Sequence, residues 1–320
     1  MPVAPLPFED DIHEIELALA RHEAEEGATA SPGPEVRRLR REVTALLRAK
    51  YGALTPWETV LVSRHQSRPQ TADYIATLFD EFTELHGDRA FGDDRAIRTG
   101  FARLGDFRVM LVGHQKGRTL AERQQCSYGC AHPEGYRKAL AKMQLAAKFR
   151  LPVVCLIDTP GAYPGVGAEE RGQSQLIATS ILEMSRLPTP VVCVVIGEGG
   201  SGGALGIGVG DRVSMMQHAY YSVISPEGCA GILWKHATDE TKPKAAGALR
   251  LTSADLLKAG VIDEVIPEPV GGAHRNPRDA TAALKTHLTR HLRELTALPT
   301  PRLLDERYAK FRRLGSMADG

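Results

Sequence analysis

The chain has 320 residues, 40 Lys and Arg against 39 Asp and Glu for a net charge of +1, 42% hydrophobic residues and five cysteines. That length holds one large domain or two modest ones with ample core, and a charge near zero leaves no electrostatic footprint for nucleic acid or an anionic membrane. No apolar run approaches the roughly 20 residues of a membrane span, and Glu9, Asp10 and Asp11 stand where a signal peptide would be basic and then apolar, so a cytoplasmic protein is expected.

From Glu9 to Glu26, Ile12, Ile15 and Leu19 recur at helical spacing among acidic positions, which predicts a helix at the solvent edge. Gly27 to Pro34 reads as a turn or linker by composition. Val36, Leu39, Val43, Leu46 and Leu47 then form the apolar stripe of a second helix, whose arginines are interspersed with Glu35 and Glu42 as on a solvated face. Residues 1–50 are thus expected to be a helical hairpin that packs on this chain or on a partner, 51–296 the main domain, and 297–320 a basic, partly exposed tail. Tyr74, Ile75, Leu78, Phe79 and Phe82 predict a further helix between Pro69 and Asp88. Phe107 to Gly113 reads as a strand, and His114 to Arg118 as the polar loop at its carboxyl end. Ligands of open α/β sheets gather at such ends, which makes Lys116 and Arg118 candidates for phosphate contacts, with ordinary surface cations an equal reading.

Cys126 and Cys130 are spaced C-x3-C without the second Cys or His pair of a zinc site. Cys155 and Cys193 lie in apolar strand runs and read as small buried residues, so no metal is expected in this chain. Glu134 to Lys148 is a predicted helix, and Val153 to Ile157 a strand. The D-x-x-G at Asp158 to Gly161 has no phosphate-cradling G-x-x-x-x-G-K-[ST] loop beside it, which excludes a GTPase. The prolines and glycines from Pro160 to Gly167 specify instead a rigid loop with exposed backbone. The strand, loop and helix unit repeats at Val191 to Leu205 and, more weakly, at Tyr221 to Gly228, as in a layered α/β domain with parallel strands. Val261 to Ile266 is a late strand, and Leu284, Leu288, Leu292 and Leu295 stripe a helix from Ala280 to Leu298.

The stretch Val191 to Leu205 carries the chemistry. A β-branched run ends in Gly197, Gly199, Gly200, Gly202 and Gly203, five glycines in seven positions, and a helix can start from Ala204. Glycines permit φ > 0 and close approach to the main chain, and a helix start aims unpaired N–H groups at one point, which suits a negative oxygen. Three readings compete. G-x-G-x-x-G lacks the acidic residue of a dinucleotide site, while G-x-S-x-G would make Ser201 a serine-hydrolase nucleophile if a base such as His218 or His274 were brought beside it. The third is an oxyanion hole of glycine amides with no side-chain nucleophile. Packing alone would also explain an average glycine turn; the density here favours a ligand.

Four long motifs in order, Ile157 to Gln173, Val195 to Asp211, Tyr221 to Lys235 and Ile266 to Pro277, resemble the α subunit of bacterial acetyl-CoA carboxylase carboxyltransferase. The resemblance implies an α/β, crotonase-like spiral of ββα units behind an N-terminal helical hairpin, and an α2β2 heterotetramer. It implies transfer of the carboxyl group from carboxybiotin, on the biotin carboxyl carrier protein, to acetyl-CoA, giving malonyl-CoA for fatty-acid synthesis, with biotin carboxylase a further partner. The four-cysteine zinc ribbon belongs to the β subunit in that family, and this chain has no such set. Residue by residue, the resemblance implies that Gly202 and Gly203 supply the catalytic amides for the carboxybiotin carbonyl, with Gly199, Gly200, Ser201, Gly161 and Tyr163 around it. Lys116 and Arg118 remain as CoA-phosphate candidates, because Leu120 to Ala131 departs from the family pattern by carrying fewer cations.

Overall fold

A computed structural model describes residues 3–27 and 31–315. Helix α1 (Asp10–Glu26) and α2 (Pro34–Tyr51) form the expected hairpin; residues 28–30 of the linker between them lie outside the described residues, as do 316–320 of the tail. Ile12 is fully buried against Val43, Leu47, Tyr51 and Val62, and Arg275 clasps Glu9 at 2.7 Å and Glu16 at 2.5 Å. The stripe is therefore covered by this chain's own residues. Arg38 and Arg40 pair with Glu35, Glu42 and Glu23 at the surface, where such pairs contribute little.

Next come α3 (Pro56–Ser63), α4 (Thr71–Leu78), β1 (Glu81–Glu84), β2 (Ile97–Leu104), β3 (Phe107–His114), α5 (Leu120–Gln125), α6 (Pro133–Lys148) and β4 (Val153–Thr159). The second half contains α7 (Val166–Glu170), α8 (Gln173–Ser185), β5 (Val191–Gly200), α9 (Ser201–Leu205), β6 (Arg212–Met216), β7 (Tyr220–Ser222), α10 (Pro226–Trp234), α11 (Thr241–Leu249), α12 (Ser253–Lys258), β8 (Glu264–Ile266), α13 (Pro277–Thr296) and α14 (Thr300–Arg312). Sheet order is β1-β2-β3-β4-β5-β6-β8, with β7 added to β5. Pairing is antiparallel from β1 to β3 and parallel from β3 onward, so the sheet is mixed rather than all parallel. The inner strands β4 and β5 are buried along their whole length, which is why they read as continuous apolar runs.

Three sequence expectations change. The helix predicted to Asp88 stops at Leu78, because residues 81–84 pair with β2 and Phe82 lies over Gly100, where a Cβ would meet its ring at 2.5 Å. Strand β2 was not foreseen. Its signal was the two-residue Gly105-Asp106 connection to β3, with Gly105 at φ 58°, a hairpin cue. The tail folds as α14, with Leu303 and Arg307 buried.

Strand β5 carries the site because it serves two partners. Val192 to Val195 pair with β6, whereas Glu198 to Gly200 pair with β7. Against β4 the register shifts between Ile157/Val195 and Thr159/Gly199, an irregularity that bends the strand. Its last residues thereby leave the main ladder and present the following turn beside the end of β4.

Candidate active site

The turn after β5 has no intervening loop: the strand runs to Gly200 and α9 starts at Ser201. The only positive φ within it belongs to Ser201, at 51°, so the glycines are not there for left-handed backbone. Most answer to close packing. A Cβ on Gly197 would stand 2.5 Å from Asp158 Oδ1, on Gly199 2.8 Å from the Tyr221 ring, on Gly200 2.1 Å from the Pro160 carbonyl, and on Gly203 2.5 Å from the Ala162 nitrogen. Gly202 alone has ordinary space, its nearest neighbour being Ile177 at 3.6 Å. The glycine density thus lets the β4 and β5 ends press together, where the sequence favours a ligand over packing.

That packing delivers amides. Gly202 and Gly203 stand at the second and third positions of α9, in the first turn, where backbone N–H groups have no acceptor within the helix itself. Gly203 is backed by the loop at Gly161 and Ala162, and its carbonyl accepts a 3.2 Å bond from the Tyr136 hydroxyl. The loop is itself rigid: Thr159 Oγ1 donates to the Gly129 carbonyl at 2.7 Å and accepts from the Gly161 N–H at 3.0 Å. Ser201 and Gly202 open on a cleft of about 400 Å³ walled by Leu205, Tyr221, Val223 and Leu256. Tyr163 stacks on His132 with ring centroids 4.0 Å apart.

Ser201 has the backbone of a nucleophile elbow but no base. His218 and His274 pack around Tyr51, at centroid separations of 5.6 and 6.1 Å, and no histidine hydrogen-bonds the Ser201 hydroxyl among the described residues. Cys126 and Cys130 are free thiols raised above their usual range, chiefly by burial.

Lys116 was a phosphate candidate, but the structure uses its charge internally. Its ammonium lies 2.6 Å from both Asp158 Oδ1 and Glu198 Oε1. Asp158 also accepts the Glu198 N–H at 2.9 Å, and Glu198 binds Arg64 at 2.6 Å and the Tyr220 hydroxyl at 2.8 Å. Arg118 pairs with Asp73 at 2.5 Å and with the Gln66 carbonyl at 3.0 Å. This arrangement does not support a phosphate contact for Lys116. The network was missed from sequence because its members lie at the ends of separate elements. Their only cue is a charged residue closing each apolar strand run.

Burial pushes the Glu198 carboxyl up, yet Lys116 and Arg64 outweigh it and hold it at about 2; for Asp158 burial wins, and its carboxyl is raised. Glu198 therefore contributes stability that is present above its unfolded value and lost as pH falls through about 2. Lys116→Met should destabilise the chain by about 3–5 kcal/mol at neutral pH, as removing one partner of a buried ion pair does. The deficit should shrink on acidification, since the stranded Asp158 carboxyl, raised by burial, favours the folded state only when protonated. Urea unfolding at several pH values measures this; a deficit that grows in acid would contradict it.

A family profile described as acetyl co-enzyme A carboxylase carboxyltransferase-like matches residues 5–315. The acetyl-coenzyme A carboxylase carboxyl transferase subunit alpha of Rhodopirellula baltica is 59% identical over 310 residues, 97% of each chain, and that of Methylococcus capsulatus 52% identical over 307 residues, 95% of each. Among solved structures, the transcarboxylase 12S core superposes with a TM-score of 0.54 at 23% identity, over 70% of this chain and 42% of that one. The β subunit of Pseudomonas aeruginosa geranyl-CoA carboxylase gives 0.54 at 17% identity, over 95% of this chain and 56% of that one. These two likenesses carry the crotonase-like fold, and this chain spans about half the length of each of those two proteins or less. Identity of 50–59% to the α subunits over nearly the full chain, on a fold that sets no base beside Ser201, decides against the serine hydrolase. The chain belongs to the α-subunit family of acetyl-CoA carboxylase carboxyltransferases.

Proposed function

We propose that this chain is one half of a carboxyltransferase site, in which the Gly202 and Gly203 amides hold the carbonyl of carboxybiotin while acetyl-CoA is carboxylated to malonyl-CoA. The observation that carries the reading is the first turn of α9, whose N–H end opens directly after β5 and is backed by the braced loop at Gly161 and Ala162. Bound there, carboxybiotin would supply the carboxyl group, and the Gly202 and Gly203 amides would face the ureido oxygen that becomes negative on its loss. Preorganised amides aimed at such an oxygen stabilise it without reorganising, one donor being worth roughly 2.7–4 kcal/mol of barrier. The residues fit the group: a helix first turn at Ser201 and Gly202 on one side of the cleft, and an apolar wall formed by Leu205, Val223 and Leu256 for the aliphatic body of the cofactor. Gly161 contributes by its closeness to Gly203, and Gly199 and Gly200 by admitting Tyr221 and Pro160.

The cleft is open on one side, and apolar side chains stand uncovered around and beyond it. Val223 in the cleft wall is 80% exposed, and Ile232 and Leu233 on α10 are 63% and 62% exposed; apolar surface of this kind, where contiguous, marks an interaction face. This supports a second subunit, the zinc-ribbon β chain of an α2β2 assembly, completing the site. The carrier protein would deliver carboxybiotin, and biotin carboxylase would recharge it. No helix among the described residues is long and apolar enough to cross a membrane, in keeping with a cytoplasmic enzyme. The test is to mix the purified chain with its β subunit and measure malonyl-CoA-dependent carboxylation of a biotin derivative, the reverse half-reaction. Turnover is expected from the pair and not from the chain alone. A properly assembled pair that gives none would overturn the reading.

A further inference from the structure

Glu264 on β8 faces two histidines of α13, His287 and His291, which lie four residues apart and so share one face of the helix. The three side chains offer ligand atoms that all lie within 4.8 Å of one another. Glu264 Oε1 is 3.5 Å from His287 Nδ1, and Oε2 is 3.0 Å from His291 Nε2. Two ligand atoms bonded to one tetrahedral zinc-like ion stand roughly 3.3 Å apart. The two spacings bracket that separation.

The remaining ring nitrogens are also engaged. His287 Nε2 meets Ser214 Oγ on β6 at 2.8 Å, and His291 Nδ1 meets Glu294 Oε2 at 3.3 Å. Outer hydrogen bonds of this kind are compatible with the tautomers whose lone pairs point inward, the arrangement found behind metal-bound histidines. A cationic group already sits where the lone pairs converge. One terminal guanidinium nitrogen of Arg290 lies 2.5 Å from Glu264 Oε2, 3.3 Å from His287 Nδ1 and 3.4 Å from His291 Nε2. Both rings are buried, whereas the Arg290 side chain is 48% exposed and can swing into solvent without opening the core.

We propose that Glu264, His287 and His291 are a binding site for a divalent transition ion of the zinc class, with water as the fourth ligand and Arg290 as its displaceable occupant. Two imidazoles with one carboxylate suit zinc-like ions over magnesium or calcium, which take oxygen. The site is structural: none of the three residues lines the cleft at Gly202, and an ion here would tie the edge strand β8 to α13. The cysteine spacings that dominate a search for metal motifs gave no hint of it, whereas the H-x3-H of α13 is its cue in sequence.

The full-length chain, stripped with a chelator, is titrated with Zn2+ by calorimetry and with Co2+ by visible absorption. One ion per chain is expected, with the intense visible bands of four-coordinate Co2+ and a thermal midpoint that rises with Zn2+. Ser214→Ala should weaken binding by about tenfold, the usual effect of losing an outer-shell partner, and Glu264→Gln and His291→Gln should abolish the one-to-one isotherm. Arg290→Ala alters only an exposed side chain, and it should tighten binding by removing the competitor. No stoichiometric uptake by the unaltered chain, uptake undiminished in Glu264→Gln, or no tightening in Arg290→Ala would each overturn the site.

Discussion

Gly203→Ala is expected to lower kcat of the assembled carboxyltransferase on the order of 100-fold, the loss that an ångström of misplacement can cause, while Gly202→Ala should leave most activity. The two glycines are adjacent, yet their surroundings differ. A methyl group at 203 would stand 2.5 Å from both the Ala162 nitrogen and the Gly161 carbonyl carbon, backbone atoms of a loop braced by Thr159. At 202 it would lie 3.6 Å from the Ile177 side chain, an ordinary contact. The first substitution must push α9 away from the loop and carry the amides out of line; the second need move nothing. Steady-state kinetics of the reverse half-reaction, with circular dichroism as a check on folding, separates the two. Equal losses in both variants would show that the amide geometry is not what the turn protects.

Arg307→Met should reduce the free energy of unfolding by about 3–5 kcal/mol, the range for removing one partner of a buried ion pair. All five N–H groups that a guanidinium carries are engaged at this position. Nε and Nη2 hold the two carboxylate oxygens of Asp211 at 2.8 and 2.7 Å, Nη1 reaches the Met184 and Leu187 carbonyls, and Nη2 the Thr189 carbonyl, each at 2.8 Å. Those carbonyls come from the end of α8 and the chain leading into β5, where the regular helical bonds run out. Asp211 in turn takes the Val191 N–H at 2.7 Å. Arg307 therefore pins α14, α8 and the root of β5 at one point, and methionine would leave the buried Asp211 carboxylate without its cation and take a donor from each of the three carbonyls. A urea titration should show a lower midpoint with an unchanged slope. Adding Asp211→Asn should recover part of the loss by removing the stranded charge. A loss under about 1 kcal/mol, as for an exposed ion pair, would contradict this account.

The candidate site was legible in sequence as a location but not as an arrangement. Continuous β-branched runs marked β4 and β5, and the glycines marked the turn. Why there are so many glycines was not legible. Four of the five are required by atoms more than twenty residues away in sequence, such as Asp158, Pro160, Ala162 and Tyr221, or by their backbones. Lys116 shows the same limit: at a strand end it reads equally as a phosphate contact or a surface cation, and only the fold sets its ammonium 2.6 Å from Asp158 and Glu198.

What the sequence determined by itself was what short-range periodicity encodes: the α1–α2 hairpin, the apolar inner strands, α6 and α13, and, through four ordered motifs, the family. Only the tertiary structure decided the antiparallel start of the sheet, the folding of the tail as α14, the division of β5 between β6 and β7, and the uncovered side of the cleft. Each of these depends on pairing between distant segments, where a partner strand overrode the helical pattern at Phe82, and a buried carboxylate gave Arg307 a role that the other basic residues of the tail do not share. The turn at Gly202 and Gly203 is the sum of both: its residues are local, but its place is set by two strand ends, about forty residues apart, that press together behind it.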